Sequence, residues 1–313
     1  MRFSVVMPVY HADSTLLAKA VASVLAQTEN DWELLIVDDH ELDDPGCTVT
    51  KQLQAQCTDT RVRFLYHGEN RGANAARNTG IRAATGEIVA FLDADDAWHS
   101  NYLARVHQRF SQGDVGLTAA GVRRIFPERE KESIIQHAEG DVLGDLLLGD
   151  IIGPTSCVAV RREVLLAAGL FDEDLPARQD YDLWLRVCRR CRVGYIRQAL
   201  VDMDCGGHER ISTGGMKHIR GTEMVLEKIL CMPEAAGRER AIRRSHLYYL
   251  GVRCLKEERY ALARGYFRRS AACGLTLKAV CGMAASLCPP LCRAAVSMYR
   301  KLTSRGRDRH ERA

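Results

Sequence analysis

Apolar positions in the first hundred residues alternate between two rhythms. Residues 4–9 form a continuous apolar run, as expected of a strand covered on both faces. Ser14 or Thr15 can then cap a helix, in which Leu17, Ala20, Val21, Val24 and Leu25 keep helical spacing. Residues 33–37 repeat the buried-strand pattern and run into Asp38-Asp39. Residues 62–66 predict a third strand, 73–84 a helix stopped by Thr85-Gly86, and 87–92 a fourth strand that ends in Asp93. This order predicts an α/β fold with a mainly parallel central sheet and right-handed crossovers. Further on, 117–126 and 154–160 read as strands and 161–168 and 179–191 as helices. Beyond about Met232 the pattern becomes all helical, with segments at 242–256, 260–273 and 277–287. Within them Leu250 to Ala271 looks like one tetratricopeptide-like hairpin, which a single copy makes an appendage rather than an array.

Composition narrows this only a little. A chain of 313 residues, 46% hydrophobic and 27% charged, can bury a large core. Its formal net charge of +4 is too small to point to nucleic acid. The tail from Arg238 onward is rich in Arg and Lys, which suits either a solvated helical surface or an anionic membrane face. Of the twelve cysteines only Cys188 and Cys191 make a close CxxC, and a second pair at zinc spacing is missing. The others sit in apolar stretches, a usage that fits a reducing cytoplasm. Met1-Arg2-Phe3 leads straight into a strand, so no secretory signal is expected. The apolar run 279–288 covers ten residues, short of the ~20 a bilayer requires.

Candidate chemistry lies where the strands end. In open α/β sheets ligands bind at the carboxyl ends of the strands, and here those ends carry Pro8-Val9-Tyr10, Asp38-Asp39 and Asp93-Ala94-Asp95-Asp96. Carboxylates gathered there need a cation or hydrogen-bond donors opposite them. Two carboxylates one residue apart can hold a hard divalent cation, and such a cation can bridge a diphosphate. An isolated acidic pair is more often a turn or a cap; the strand context and the matching Asp38-Asp39 end favour the cation.

These stretches, together with Glu69-Asn70-Arg71-Gly72-Ala73-Asn74-Ala75-Ala76-Arg77-Asn78-Thr79-Gly80 and Gln179-Asp180-Tyr181-Asp182-Leu183-Trp184-Leu185-Arg186, resemble the family-2 glycosyltransferases. The resemblance runs from about Phe3 to Ile219. It implies a GT-A fold: a Rossmann-like nucleotide-sugar half at 1–98, an acceptor half at 99–231, and here a helical region at 232–313. By resemblance Pro8, Val9 and Tyr10 line the base pocket, Asp39 accepts from the nucleobase and Arg77 lies near the nucleotide. Asp93 meets the ribose or metal-bound waters, Asp95 ligates Mn²⁺ or Mg²⁺, His208 approaches the metal or diphosphate, and Asp180 is the general base. The bland readings are a helix cap for Asp180, a surface ion pair for Arg77 and a solvated ring for His208. The implied reaction is inverting, metal-dependent transfer from a nucleotide-diphosphate sugar, a UDP-sugar first of all, to the hydroxyl of a glycan or lipid-linked glycan. The setting implied is cell-surface polysaccharide or lipopolysaccharide synthesis in the cytoplasm, with peripheral contact on the inner membrane face through the basic tail. A sugar nucleotidyltransferase would need a Gly-rich loop after the first strand, and Tyr10 to Thr15 contains no Gly. A non-catalytic scaffold acting through the tail would be expected to have lost one of Asp93, Asp95 and Asp180. The sequence departs from the family pattern at His40-Glu41-Leu42, where Gly-Ser is common, and at Gln179, where Glu is common.

Overall fold

The computed structural model describes residues 1–134, 137, 139–206 and 215–287. The chain divides into two compact units, Met1–Arg210 and Ile211–Ala313.

The first unit is built on a nine-stranded sheet among the described residues. Strand β1 (Phe3–Val9) lies between β2 (Trp32–Glu41) and β4 (Ile88–Phe91), with β3 (Val62–Gly68) beyond β2, and all these pairings are parallel. Burial on both faces explains their unbroken apolar runs, since Val5, Val6, Leu34, Leu35, Val89 and Ala90 are fully buried. The remaining strands are β5 (Asp96–Trp98), β6 (Leu117–Phe126), β7 (Arg129–Ser133), β8 (Val158–Arg161) and β9 (Val193–Asp204). Here β8 pairs antiparallel with β4 and β6, β7 with β6 and β5 with β9, while β6 and β9 run parallel. The parallel part thus has the order β3-β2-β1-β4, which places a topological switch point beside β1.

The helices of this unit are α1 (Ser14–Leu25), α2 (Pro45–Gln56), α3 (Ala73–Ala83), α4 (Tyr102–Ser111), α5 (Leu143–Leu146), α6 (Arg162–Ala168) and α7 (Gln179–Cys188). The cap of α1 is Asp13, not Ser14 or Thr15: its carboxylate accepts from the backbone N–H of Thr15 and Leu16. The sequence pattern did not show α2, which buries only Cys47 and Thr50; its Asp44 cap and Pro45 at the first turn are the local signals. Nor did it show β9, where Arg197 and Gln198 interrupt the buried positions and the register against β6 shifts near Gly121.

The amino ends of the parallel strands are fastened by one carboxylate. Glu33 on β2 accepts from the Ser4 hydroxyl (2.7 Å), from Thr85 backbone N–H (2.7 Å) and hydroxyl (2.6 Å), and from Arg63 Nη1 (2.9 Å). These groups belong to β1, β3 and the turn before β4.

The second unit contains α8 (Met216–Leu230), α9 (Glu239–Lys256), α10 (Tyr260–Ala272) and α11 (Leu277–Leu287). Its core joins Ile219 of α8 to Leu247, Leu250, Cys254, Ala263, Tyr266 and Phe267. The change to all-helical character near Met232 lies within this unit, since Ile219 packs with α9 and α10. Among the described residues no helix is long and apolar enough to cross a membrane.

Burial works against a charge on Glu33, but the bonds from Thr85, Ser4 and Arg63 outweigh it and hold the carboxyl down from 4.5 to about 2. That corresponds to about 3 kcal/mol of folding stability, present above pH 4.5 and lost as the pH falls towards 2. Glu33→Gln is therefore expected to lower stability in urea at pH 7 by about 2–3 kcal/mol, with the gap from the native protein narrowing below pH 4.5. A gap independent of pH would contradict this account.

Candidate active site

The opposite, carboxyl ends of β2 and β4 carry acidic residues beside the end of β1, and the carboxylates of Asp39 and Asp93 are held by groups remote in sequence. Asp38 and Asp39 at the end of β2 are 0% and 1% exposed. Asp38 Oδ1 accepts from His40 N–H and His40 Nδ1, both at 2.9 Å. Because a carboxylate only accepts, the ring proton is on Nδ1, which leaves Nε2 to accept from His11 N–H at 2.7 Å. The turn after β1 is thereby tied to β2, with His11 at a φ of 47°. Tyr10 is 42% exposed and lies over His40 at 5.0 Å between ring centroids, Pro8 is half-buried, and Val9 lies in the core at 2%.

Asp39 faces the other way, toward β3 and α3. Its Oδ1 accepts from His67 Nδ1 (2.7 Å) and Arg71 N–H (3.0 Å), and its Oδ2 from Gly72 N–H (2.7 Å). His67 Nε2 in turn accepts from the Thr79 hydroxyl at 2.8 Å. Gly72 opens α3 at a φ of 90°, a backbone that side-chain-bearing residues rarely adopt.

Helix α3 then connects several parts of the site. Gly80 lets it lie directly on β1, since a Cβ there would meet Val6 Cγ1. Arg77 Nη2 donates to Asp93 Oδ1 at 2.7 Å. Asn78 donates to Phe171 C=O (2.9 Å) and Glu173 Oε1 (2.8 Å) and accepts from Phe171 N–H (2.9 Å), while Asn74 donates to Asp172 C=O (2.9 Å). The asparagines thus hold the loop 171–173, which leads to α7.

Asp93, at the end of β4, is gripped from a second side by the turn before β8. Thr155 donates to its Oδ2 (3.2 Å), and its N–H donates to the Ser156 hydroxyl oxygen (3.1 Å). Asp95 is half-buried in the turn that Asp96 N–H closes onto Asp93 C=O at 3.1 Å. Asp180 stands half-buried in the first turn of α7, its Oδ1 accepting from Tyr181 N–H at 2.8 Å. That turn favours negative charge. Helix α7 is joined to β4 by three aromatic rings: Phe91, Phe171 and Trp184 lie 5.5 to 6.4 Å apart, and Trp184 Nε1 donates to Gly153 C=O at 3.1 Å. Asp182, by contrast, is buried and serves Arg186, which donates to its Oδ2 through Nε and Nη2. His208 lies outside the described residues.

Residues 4–166, just over half of the chain, match the family model described as Glycosyl transferase family 2. The chain belongs to that family. An uncharacterized glycosyltransferase of Nostoc sp. is 38% identical over 176 residues, 53% of this chain and 52% of that protein. The UDP-Glc:alpha-D-GlcNAc-diphosphoundecaprenol beta-1,3-glucosyltransferase WfgD of Escherichia coli is 40% identical over 100 residues, 32% of this chain and 37% of that protein. The family-2 chain therefore spans about half the length, or less, of these curated relatives. The solved mannosyltransferase PcManGT of Pyrobaculum calidifontis, in complex with GDP-Man and Mn²⁺, matches with a TM-score of 0.61 at 21% identity, covering 97% of this chain and 83% of that one. The likeness shows the fold, which is GT-A.

In this family-2 chain β4 and α7 carry the two acidic blocks, and the aromatic rings join one element to the other. Sequence reasoning passed over Thr155, Ser156, His40 and His67 as partners of the acidic residues. The roles of Thr155, Ser156 and His67 depend on how distant segments are brought together, which no spacing along the chain signals, whereas His40 is two residues from Asp38 on the same strand. Asn78→Ala removes three bonds and leaves the Phe171 N–H and C=O unsatisfied, so a loss of about 2–4 kcal/mol in urea denaturation is expected. A loss under about 0.5 kcal/mol, the size of an ordinary surface substitution, would show that α3 does not hold this loop.

Proposed function

We propose that the protein is an inverting, metal-dependent glycosyltransferase. It would move a sugar from a nucleotide diphosphate, a UDP-sugar first of all, to a hydroxyl of a glycan or lipid-linked glycan in cell-surface glycan synthesis. The observation that carries this reading is the aromatic joint that sets the Asp180 helix on the strand ending in Asp93. The Escherichia coli relative, named for a UDP-Glc donor and a diphosphoundecaprenol-linked acceptor, supports the donor and acceptor classes.

Pro8, Val9 and Tyr10 would form the base end of the donor site, with the exposed Tyr10 ring as its stacking face. Asp39, 1% exposed and with both oxygens already accepting, would act by holding Arg71 and Gly72 at the base end of the site rather than by accepting from the nucleobase itself. Arg77 would sit beside the nucleotide while fixing the Asp93 carboxylate.

The residues present fit a hard divalent cation, Mn²⁺ or Mg²⁺. Asp95 and Asp93 offer carboxylate oxygens, and part of Asp93's capacity is used by Arg77 and Thr155. Among the described residues the group of three metal-binding side chains lying within 4.8 Å of one another is His11, His40 and Asp44, which includes neither Asp93 nor Asp95. A cation at the Asp93 turn would thus complete its shell with diphosphate oxygens and water, as Mg²⁺ commonly does; His208 is the further candidate ligand. A cation held there would supply neutralising charge for the departing nucleoside diphosphate.

Asp180 would take the proton of the acceptor hydroxyl as that oxygen bonds to the anomeric carbon and the bond to the diphosphate oxygen breaks. A single displacement from the opposite face inverts the anomeric centre. Asp180→Asn is expected to lower kcat by about 10²-fold or more while donor KM stays within about twofold. Full turnover by that variant would refute the assignment of the base. Asp95→Ala is expected to weaken donor binding in the presence of Mn²⁺, with little change in its absence.

The second unit would supply peripheral contact with a membrane bearing the acceptor. Leu275, Leu277 and Leu287 are 69 to 79% exposed, and the chain beyond them carries Arg293, Arg300, Lys301, Arg305, Arg307 and Arg309. Flotation with anionic vesicles should show salt-sensitive binding, and its absence would remove this part of the reading.

A further inference from the structure

A carboxylate outside the family motifs lies beside the helix that carries Asp180. Asp150 occupies the loop after α5, where its Oδ1 accepts from Ile152 N–H (3.1 Å) and Gly153 N–H (3.2 Å). Gly153 is also the residue whose carbonyl receives Trp184, so the loop is fixed to α7. Asp150 Oδ2 faces Arg178 Nη1 at 3.6 Å, and both side chains are largely buried at 14% and 15% exposure. Arg178 is the N-cap of α7, with a φ of 65°, two residues before Asp180. Asp150 and Arg178 therefore form a largely buried pair at the start of α7, two residues from the half-buried Asp180.

We propose that Asp150 is a positioning residue for glycosyl transfer: with Arg178 it holds the start of α7, and its negative charge favours the arrival of the acceptor's proton on Asp180. The proposal rests on Asp180 being the base. With both carboxylates ionised the trio carries one net negative charge, and a proton on Asp180 brings it to zero. The like charges then no longer repel, while Arg178 keeps its partner in Asp150. In this step the acceptor O–H bond breaks, the proton passes to Asp180, and the freed electron pair forms the glycosidic bond.

The same arrangement gives a pH signature. Burial first, then the charge of Asp180, pushes the Asp150 carboxyl up to about 6, against the opposing pull of Arg178 and the two backbone N–H groups. Asp150 is thus ionised above about pH 6 and neutral below it. The other titratable groups that feel its charge are Cys157 before β8, Tyr181 and Cys188 on α7, and Tyr195 on β9. Burial above all, with like charges adding to it, pushes each of them up, so none titrates between pH 5 and 8.

The test is the pH profile of kcat from pH 5 to 9 at saturating donor and acceptor for the full chain, Asp150→Asn and Asp180→Asn. The native protein should lose activity below about pH 6. Asp150→Asn should lack that acid limb and show kcat lowered about tenfold at pH 8 with donor KM unchanged. A limb near pH 6 that persists in Asp150→Asn, beside an inactive Asp180→Asn, overturns this proposal alone. Full turnover by Asp180→Asn overturns the base assignment and this proposal with it.

Discussion

Carboxylates at the ends of buried strands need donors facing them, and much of the first unit's architecture answers that requirement, although Asp38 Oδ2 stays buried with no hydrogen-bond partner among the described residues. Asp38 and Asp39 end a strand that is apolar between Glu33 and Asp38, and Asp93 follows the apolar β4; for the first two, buried almost completely, an unmatched charge is costly. Asp39 and Asp93 are met by groups from other elements, His67 and the Arg71-Gly72 amides for Asp39, Arg77 and Thr155 for Asp93, while Asp38 is met by His40 of its own strand, whose ring reaches the turn after β1. Glu33 does the same at the other end of the sheet. The two ends differ in what remains accessible. Glu33 is enclosed by its donors, whereas Asp93 and Asp95 keep some exposure, as the proposed ligand site requires.

A second consequence is that α3 becomes a structural member as much as a binding one. Along a few turns it receives Asp39 at its N-terminus, sends Arg77 to Asp93, and holds the 171–173 loop through Asn74 and Asn78. That loop supplies Phe171, which packs between the strand of Asp93 and the helix of Asp180. The distance between the two acidic blocks is thus set by packed aromatic rings and buried amides, which deform little. The proposed inverting transfer would need such spacing, because its base would address a hydroxyl on the far side of the anomeric carbon from the departing diphosphate.

The strands β1, β2 and β4 were legible in the sequence because burial on both faces removes polar residues from them. The helix α7 was legible through its apolar stripe and acidic first turn, and family membership followed from motifs at strand ends. The polar α2 left little periodic trace, and β9 is broken by a register shift where Gln198 carbonyl crowds Gly121. Thr155 falls in the stretch 154–160 that reads as a strand but begins a 3-10 turn before β8, and Asp150 looks like an ordinary loop residue in the sequence. Asp150 gains meaning only when folding sets it against Arg178, and Asn78 only when it meets Phe171. Arg77 is expected near the nucleotide, and the fold shows that it also binds the chain to itself through Asp93.

The central claim is that the Asp93 turn receives the diphosphate of a nucleotide together with a divalent cation. Thermal unfolding of the native chain with UDP, with Mn²⁺ and with both tests it directly, because a ligand that binds the folded state raises its apparent stability. The account predicts a rise in Tm with UDP and Mn²⁺ together that exceeds the sum of the two separate effects. An equal rise with UDP whether or not Mn²⁺ is present, or no rise with any nucleoside diphosphate, would contradict it.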